Sequence, residues 1–240
     1  RKKIAIFYFQ NETGDSTIDW LRYGLPWLCD ADIEQDFYIS HTNQQYFNYK
    51  VENAGYTQDD NLPLSVKKKI SKTLNKNYFL EGSFKIIDDA YIIKTKLYRT
   101  DNGNLVNENR YVGSEIFTLT DKLVKQLKID LEIPLQYLDA ATDLPVSSIT
   151  TDNKEALASY IKGSQKSKDN KYDAAFAFLS NAVENDKYFL QAQFAIAMLK
   201  MNFLQDASWK EDWGIILKTI DKLNDRTKFY YKMEYYFLIG

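Results

Sequence analysis

Cysteine and histidine each occur once in these 240 residues, as Cys29 and His41. A lone cysteine excludes an internal disulfide framework, but it leaves the compartment open, because many periplasmic proteins also lack disulfides. A lone histidine with no second His or Cys nearby gives no spacing for a zinc site and no triad. Four prolines and nine glycines are too few for a disordered chain. No apolar run approaches the roughly 20 residues that span a bilayer. Charge of either sign is not in excess: 31 Lys and Arg are interspersed with 33 Asp and Glu, a net charge of −2. That balance gives no electrostatic reason to expect nucleic acid. An initiator Met and a signal-like start are also missing. We therefore expect a fragment of a longer protein, in which a membrane anchor or an effector module lies outside residues 1–240.

What the chain does have is two kinds of pattern. In residues 1–134 strands and helices alternate. Ile4-Ala5-Ile6-Phe7-Tyr8-Phe9 is a short apolar run that suits a buried strand. The turn Asn11-Glu12-Thr13-Gly14-Asp15 breaks it, and Asp15, Ser16 and Thr17 are N-cap candidates for a helix to about Gln35. Within it Ile18, Leu21, Leu25 and Leu28 share a face, and Pro26 either starts the main helix or kinks it. A second strand is expected at 37–40, a polar surface excursion with one helical turn at 42–61, and a helix at 64–75. Three strands follow, at 78–87, 90–100 and 105–113, separated by Asp88-Asp89 and Asp101-Asn102-Gly103-Asn104, both good hairpin chemistry. A helix over 119–131, capped by Thr118 or Thr120, closes a β-α-β-α-β-β-β-α order with a mixed sheet.

The segments IAIFYFQNETGD, DWLRYGL, YFLEGSF and LYRTDNGNLV, in that order, resemble the TolB amino-terminal-like domain over roughly residues 3–131. The polar stretch 42–61 departs from that pattern. In this family the domain commonly precedes tetratricopeptide repeats in bacterial regulators, including kinases, nucleotide cyclases and membrane-bound winged-helix activators. The resemblance implies no catalytic residue.

Residues 135–153, polar around Pro145, read as a linker, with Thr150, Thr151 or Asp152 capping the next helix. Residues 154–240 are all-helical in pattern and resemble tetratricopeptide repeats, whose helix pairs recur every 34 residues. Gly163, Ala175 and Ala182 supply the small residues at the spacing such pairs need, Asn185-Asp186-Lys187 the turn, and Ala197 the next small position. The following repeat is looser: Trp209 falls where a small residue belongs, and a longer turn at 204–208 accounts for it. Asn224-Asp225 caps an aromatic last helix, Phe229 to Phe237. A solenoid end needs a polar cap, so continuation past Gly240 is expected.

Each candidate site has a plain alternative. His41 is most simply a strand-end surface histidine, Cys29 a packing residue, and the Asn11–Asp15 turn a structural turn, since Glu12 and Asp15 would repel phosphate. The acidic pairs Asp59-Asp60 and Asp88-Asp89 are most simply solvated. The better binding candidate is the concave face of the repeats: Tyr160, Ser164 and Ser167 at i, i+4 and i+7, and Phe194, Met198 and Met201 in the same geometry one unit later.

The sequence thus predicts a mixed α/β sheet domain followed by a tetratricopeptide-like helical array. The region would be non-catalytic, with no metal or cofactor, and would bind a protein or peptide partner; a homodimer is left open. The resemblance implies the regulatory part of a transmembrane serine/threonine kinase, periplasmic or extracytoplasmic, with a cytoplasmic place not excluded. The periplasmic sensor of a transcription activator is the alternative parent. A small-molecule receptor with its ligand at the 134–152 junction is the second reading. An enzyme would need a pocket joining His41 to two carboxylates.

Overall fold

A computed structural model describes residues 1–42, 44–57, 60–140, 143–223 and 225–239. Asp59, the expected linker residues Ala141 and Thr142, and the expected cap Asn224 lie outside these described residues. The chain divides into two compact units, Arg1–Pro145 and Val146–Gly240.

In the first unit β1 (Lys2–Ile6) and the short β2 (Gln10–Asn11) precede α1 (Leu21–Ile33), β3 (Ile39–Ser40), α2 (Gln44–Asn53) and α3 (Leu64–Thr73). Then come β4 (Tyr78–Ile87), β5 (Ala90–Arg99), β6 (Leu105–Gly113), α4 (Ile116–Asp130) and α5 (Leu135–Ala140). The sheet order is β3-β1-β4-β5-β6, with β2 paired to β4 beyond the end of β1. β1 runs parallel to both neighbours, which is why residues 4–9 are buried throughout instead of alternating. The β4-β5-β6 meander is antiparallel. Asp88 and Asp89, at φ 50° and 59°, make its first two-residue turn, and Gly103 at φ 82° helps make the second.

Helices cover both faces. On one, Ala5 of β1, Phe7 just after it and Phe79 of β4 pack with Phe47 and Val51 of α2, Ile70 of α3 and Leu74 at the end of α3. On the other, α1 packs on α4, and α4 on β5 and β6. Gly82 of β4 is required by a close approach: a Cβ there would stand 2.5 Å from the buried Phe9 ring.

Three expectations are corrected here. Residues 42–61 do not form a surface excursion; they contain the ten-residue α2, whose Phe47 and Val51, one turn apart, reach the core. The helix expected from Leu119 starts at Ile116, because Ile116 and Phe117 are themselves buried, and Thr120 spends its hydroxyl on the Ile116 carbonyl. Residues 135–153 are not an unstructured linker: α5 and α6 (Val146–Ile149) lie within them. Val146 and Ile149 are buried, and Gln35 holds both backbone groups of Leu144 (2.9 and 3.2 Å).

Pro26 neither starts nor breaks α1, which runs through it. Its missing N–H leaves the Arg22 carbonyl without a helical donor, and the Phe9 N–H takes that carbonyl at 3.1 Å.

In the second unit α7 (Lys154–Lys168) and α8 (Tyr172–Asn185) form a close antiparallel hairpin. A Cβ on Gly163 would stand 2.9 Å from Leu179 Cγ and 3.2 Å from the Ala175 carbonyl oxygen, and Ala175 and Ala182 are fully buried. The N-cap of α7 is Asn153, which accepts the Ala156 N–H; the expected cap Thr151 donates its hydroxyl to Asp186 (2.6 Å) instead. α9 (Leu190–Leu199) continues into a π-helical turn, Lys200–Leu204, before α10 (Trp209–Thr219) and α11 (Asp225–Ile239). The π turn shifts the phase, so Trp213, one helical turn past Trp209, is fully buried in α10 together with Ile216.

Candidate functional site

The Asn11–Asp15 turn spends its polar groups on itself. Asn11 Oδ1 accepts the Thr13 N–H (2.9 Å) and hydroxyl, while its Nδ2 donates to the Asp15 carbonyl (2.9 Å) and Asp19 Oδ1 (2.7 Å). Asp15 Oδ1 accepts the Thr17 N–H (2.8 Å), and those hydrogen bonds hold its carboxyl below the usual range. The N–H groups of Glu12, Thr13, Asp15 and Thr17 are thus already engaged within the protein. An open pocket of about 280 Å³ lies beside the turn, floored by Phe7, Tyr8 and Phe9 and rimmed by Asp19, Arg22 and Lys67. Lys67 is already committed to Glu81 at 2.6 Å. The pocket offers polar contacts but no activated nucleophile.

His41 does meet two carboxylates. Its Nδ1 stands 3.2 Å from Asp30 Oδ1 and its Nε2 3.3 Å from Glu34 Oε1. Burial pushes the imidazole pKa down, but Asp30 and Glu34 outweigh it and lift the pKa to about 10. An imidazolium with both nitrogens engaged is neither a general base nor a metal ligand at neutral pH. The carboxylates sit on opposite sides of the ring, so no one ion reaches all three groups. Cys29 is fully buried, and desolvation, with Asp30 and Asp32 adding to it, pushes its thiol well above the ordinary value, the reverse of an activated nucleophile.

The most concentrated charge cluster joins α1 to α4. Buried Lys128 stands 3.8 Å from both Asp32 and Asp36 and 2.7 Å from Asp143. Desolvation pushes Asp32 up to about 8 against the pull of Lys128, with Asp143, Asp121 and Asp36 adding to the rise. With the Gln35–Leu144 bonds, this cluster pins residues 143–144 to the first unit.

At the end of the sheet where β4 begins, a second pocket, of about 370 Å³, is lined by Lys2, Lys72, Lys76, Arg99 and the Asn75 and Asn77 amides. Lys2 and Arg99 both lie 5.8 Å from the Tyr78 ring centroid. Four cations line it against one acid, Asp101; Lys2 also pairs with Glu132 (3.5 Å) and Lys76 with the Ser40 and His41 carbonyls, and the remaining positive excess suits an anionic group. This pocket gave no sequence signal, because its cations come from three separate segments.

The six residues expected on a concave face are half-buried, and the structure does not gather them into one open surface. Tyr160 packs on Phe189 with ring centroids 5.0 Å apart. Phe194 is enclosed edge-on by Trp213 (5.4 Å) and Tyr231 (5.3 Å). Met201 falls in the π turn, which breaks the i, i+4, i+7 geometry shared with Phe194 and Met198. Ser164 and Ser167 remain on α7. The open apolar surface is instead on α11. There Phe229, Tyr230, Met233, Tyr236 and Phe237 follow i, i+1, i+4, i+7 and i+8 and are 46–83% exposed.

No family model matches the chain, and no curated protein does. Among solved structures it is similar to the LpoB C-terminal domain from Salmonella enterica, at 14% identity and TM-score 0.37, covering 48% of this chain and 83% of that one. It is also similar to TolB from Acinetobacter baumannii, at 15% identity and TM-score 0.38, over 55% of this chain and 28% of that one. Lipoprotein GNA1162 from Neisseria meningitidis gives 12% identity and TM-score 0.39 over 56% and 99%. At these values the likenesses are too distant to carry a role across. Among the described residues no helix is long and apolar enough to cross a membrane.

Proposed function

We propose that residues 1–240 form a protein-interaction region without chemistry of its own, the sensory part of a larger bacterial signalling protein. The observation that carries this reading is the α11 face, where five large apolar or aromatic side chains stand exposed along one helical stripe. The His41 ion pairs with Asp30 and Glu34, which favour an imidazolium, support a reading without chemistry. The small-residue contact at Gly163 supports a tetratricopeptide-like array as the partner-binding arm. The parent we favour is a transmembrane serine/threonine kinase with this region outside the cytoplasm, a choice that rests on the motif resemblance alone.

Photo-crosslinking in the native cell tests the reading. A benzophenone amino acid at Tyr236 is expected to trap one discrete partner, while the same group at exposed Lys162 on α7 traps none. Equal, diffuse labelling from both positions would sink it. Protease accessibility of the native protein in spheroplasts tests the compartment.

The basic pocket favours a second reading, a receptor for an anionic small molecule. Inorganic phosphate and pyrophosphate, titrated against the chain by calorimetry, should bind saturably, and Arg99→Ala should abolish the heat. No saturable heat with either probe removes this reading.

A further inference from the structure

The two edges of the sheet are unlike. β3 is two residues long, and Lys76 Nζ occupies the carbonyls of Ser40 (3.3 Å) and His41 (2.7 Å). β6, at the opposite edge, runs nine residues without a proline. A long open edge presents free N–H and C=O groups that template another strand, and proteins usually blunt it.

The ladder fixes which groups of β6 are free. Ile87 and Ala90 flank a two-residue turn, so they exchange both hydrogen bonds. Alternation then sends the even residues of β5 toward β4 and the odd ones toward β6. The Thr100 N–H bond to Asn77 and the Arg99 N–H bond to Asn104 agree with that parity. Asn107, Asn109, Tyr111 and Gly113 therefore bond inward to their β5 partners Leu97, Thr95, Ile93 and Tyr91. The backbone groups of Glu108, Arg110 and Val112 point outward; the Glu108 N–H rests on Asn107 Oδ1 (2.9 Å), a one-residue local bond that an added strand would displace.

The side chains of those three residues share one face. Lys96 lies opposite Glu108, with Nζ 3.8 Å from Oε2, but Lys94 lies opposite Arg110, two like charges in register. That arrangement is unfavourable unless an anion joins it. No carboxylate pairs with Lys94 or Arg110 among the described residues. On the other face Asp130 holds the Asn107 and Asn109 amides (2.8 and 2.7 Å), which keeps both away from the charged row.

We propose that this edge is a self-association surface on which a second copy of the chain adds its own β6, antiparallel, about a two-fold axis through Asn109. The sequence is self-complementary under that operation. Glu108 falls opposite Arg110 of the partner subunit and Arg110 opposite Glu108 of the partner subunit, each pair exchanging both backbone hydrogen bonds. The outward parity computed from the ladder matches, because both members of each pair have even numbers. Val112 falls beside Val106 of the partner subunit, where a bulge ends the regular edge. Each Arg110 gains an acidic neighbour, and the row Glu81, Lys96, Glu108 continues into the partner's Arg110 with alternating sign. Charge complementarity thus selects a second copy.

Sedimentation equilibrium of the 240-residue chain tests this. The chain should be a dimer that dissociates on dilution. Glu108→Arg and Arg110→Glu, each alone, set like charges opposite each other and should weaken association by at least about tenfold. Mixing the two single variants in equal amounts should restore the dimer, because every position then faces its opposite charge; variants that had merely failed to fold could not do this. The double exchange E108R/R110E should also dimerise. Amide exchange at Glu108, Arg110 and Val112 should slow with concentration while Asn107, Asn109 and Tyr111 stay unchanged. A monomer at every concentration, or a dimer indifferent to both reversals, overturns the proposal. So does a monomer whose β6 amides are protected only by another protein.

Discussion

The Arg22 carbonyl accepts the Phe9 N–H at 3.1 Å because Pro26, four residues on, has no N–H to offer it. A proline inside a helix, ordinarily a defect, here joins the end of the first strand to the helix after it. Pro26→Ala supplies a competing donor and a more flexible unfolded chain. It should lower stability by about 0.4–1 kcal/mol and speed amide exchange at Phe9, with the helix retained by circular dichroism.

Gly163 lies against Leu179 and the Ala175 carbonyl, with no room for a branched side chain. Gly163→Val should cost about 1–3 kcal/mol by overpacking, measured by urea unfolding. Gly163→Ala should cost less, because better helix propensity offsets part of the clash by about 1 kcal/mol. Wild-type stability in the valine variant would mean the two helices do not approach as described.

Phe47 is 2% exposed, with ring centroids 5.0 Å from Phe7 and 5.6 Å from Tyr8. Phe47→Ala should therefore destabilise the first unit by about 3–5 kcal/mol. A polar surface loop would tolerate the change.

The ion pairs of His41 make stability depend on pH in a defined sense. Its folded pKa, about 10, lies above the ordinary 6.5, so the contribution is complete below pH 6.5 and lost as pH rises through about 10. His41→Gln should flatten the urea midpoint across that window. An unchanged slope would show that the pairs do not form in solution.

Asp32 shifts in the same direction by a different cause, burial beside Lys128. Its folded pKa of about 8 against 3.8 means a proton retained on folding, with a stabilising contribution that fades as pH climbs between those values. Asp32→Asn should overtake the parent in stability above about pH 8. Lys128→Met should be the damaging change, by about 3–5 kcal/mol near neutrality, since it strands buried carboxylates.

Much of the fold was legible where chemistry is local. Asp88-Asp89 and Asp101–Asn104 announced both hairpins, and the β4–β6 boundaries followed to within a residue. The spacing of Gly163, Ala175 and Ala182 announced one helical contact. α2 was missed because glutamines and asparagines dominate its composition, although Phe47 and Val51, one turn apart, carried the signal. Of the candidate site little was legible. Asp30 and Glu34 are visibly one turn apart on a helix, yet nothing local says that His41 inserts between them. The π turn at 200–204 likewise has no sequence signature, and it dispersed the face expected from Phe194, Met198 and Met201.

The unequal edges of the sheet also decide where strand-by-strand growth must stop. One rim is too short, and too fully capped by Lys76, to accept a strand. Only the β6 rim is open, and a two-fold pairing through Asn109 consumes it on both molecules at once. Nothing is left to recruit a third. An extended, proline-free border, which in another protein would seed a fibre, is here limited by its own symmetry to a closed pair.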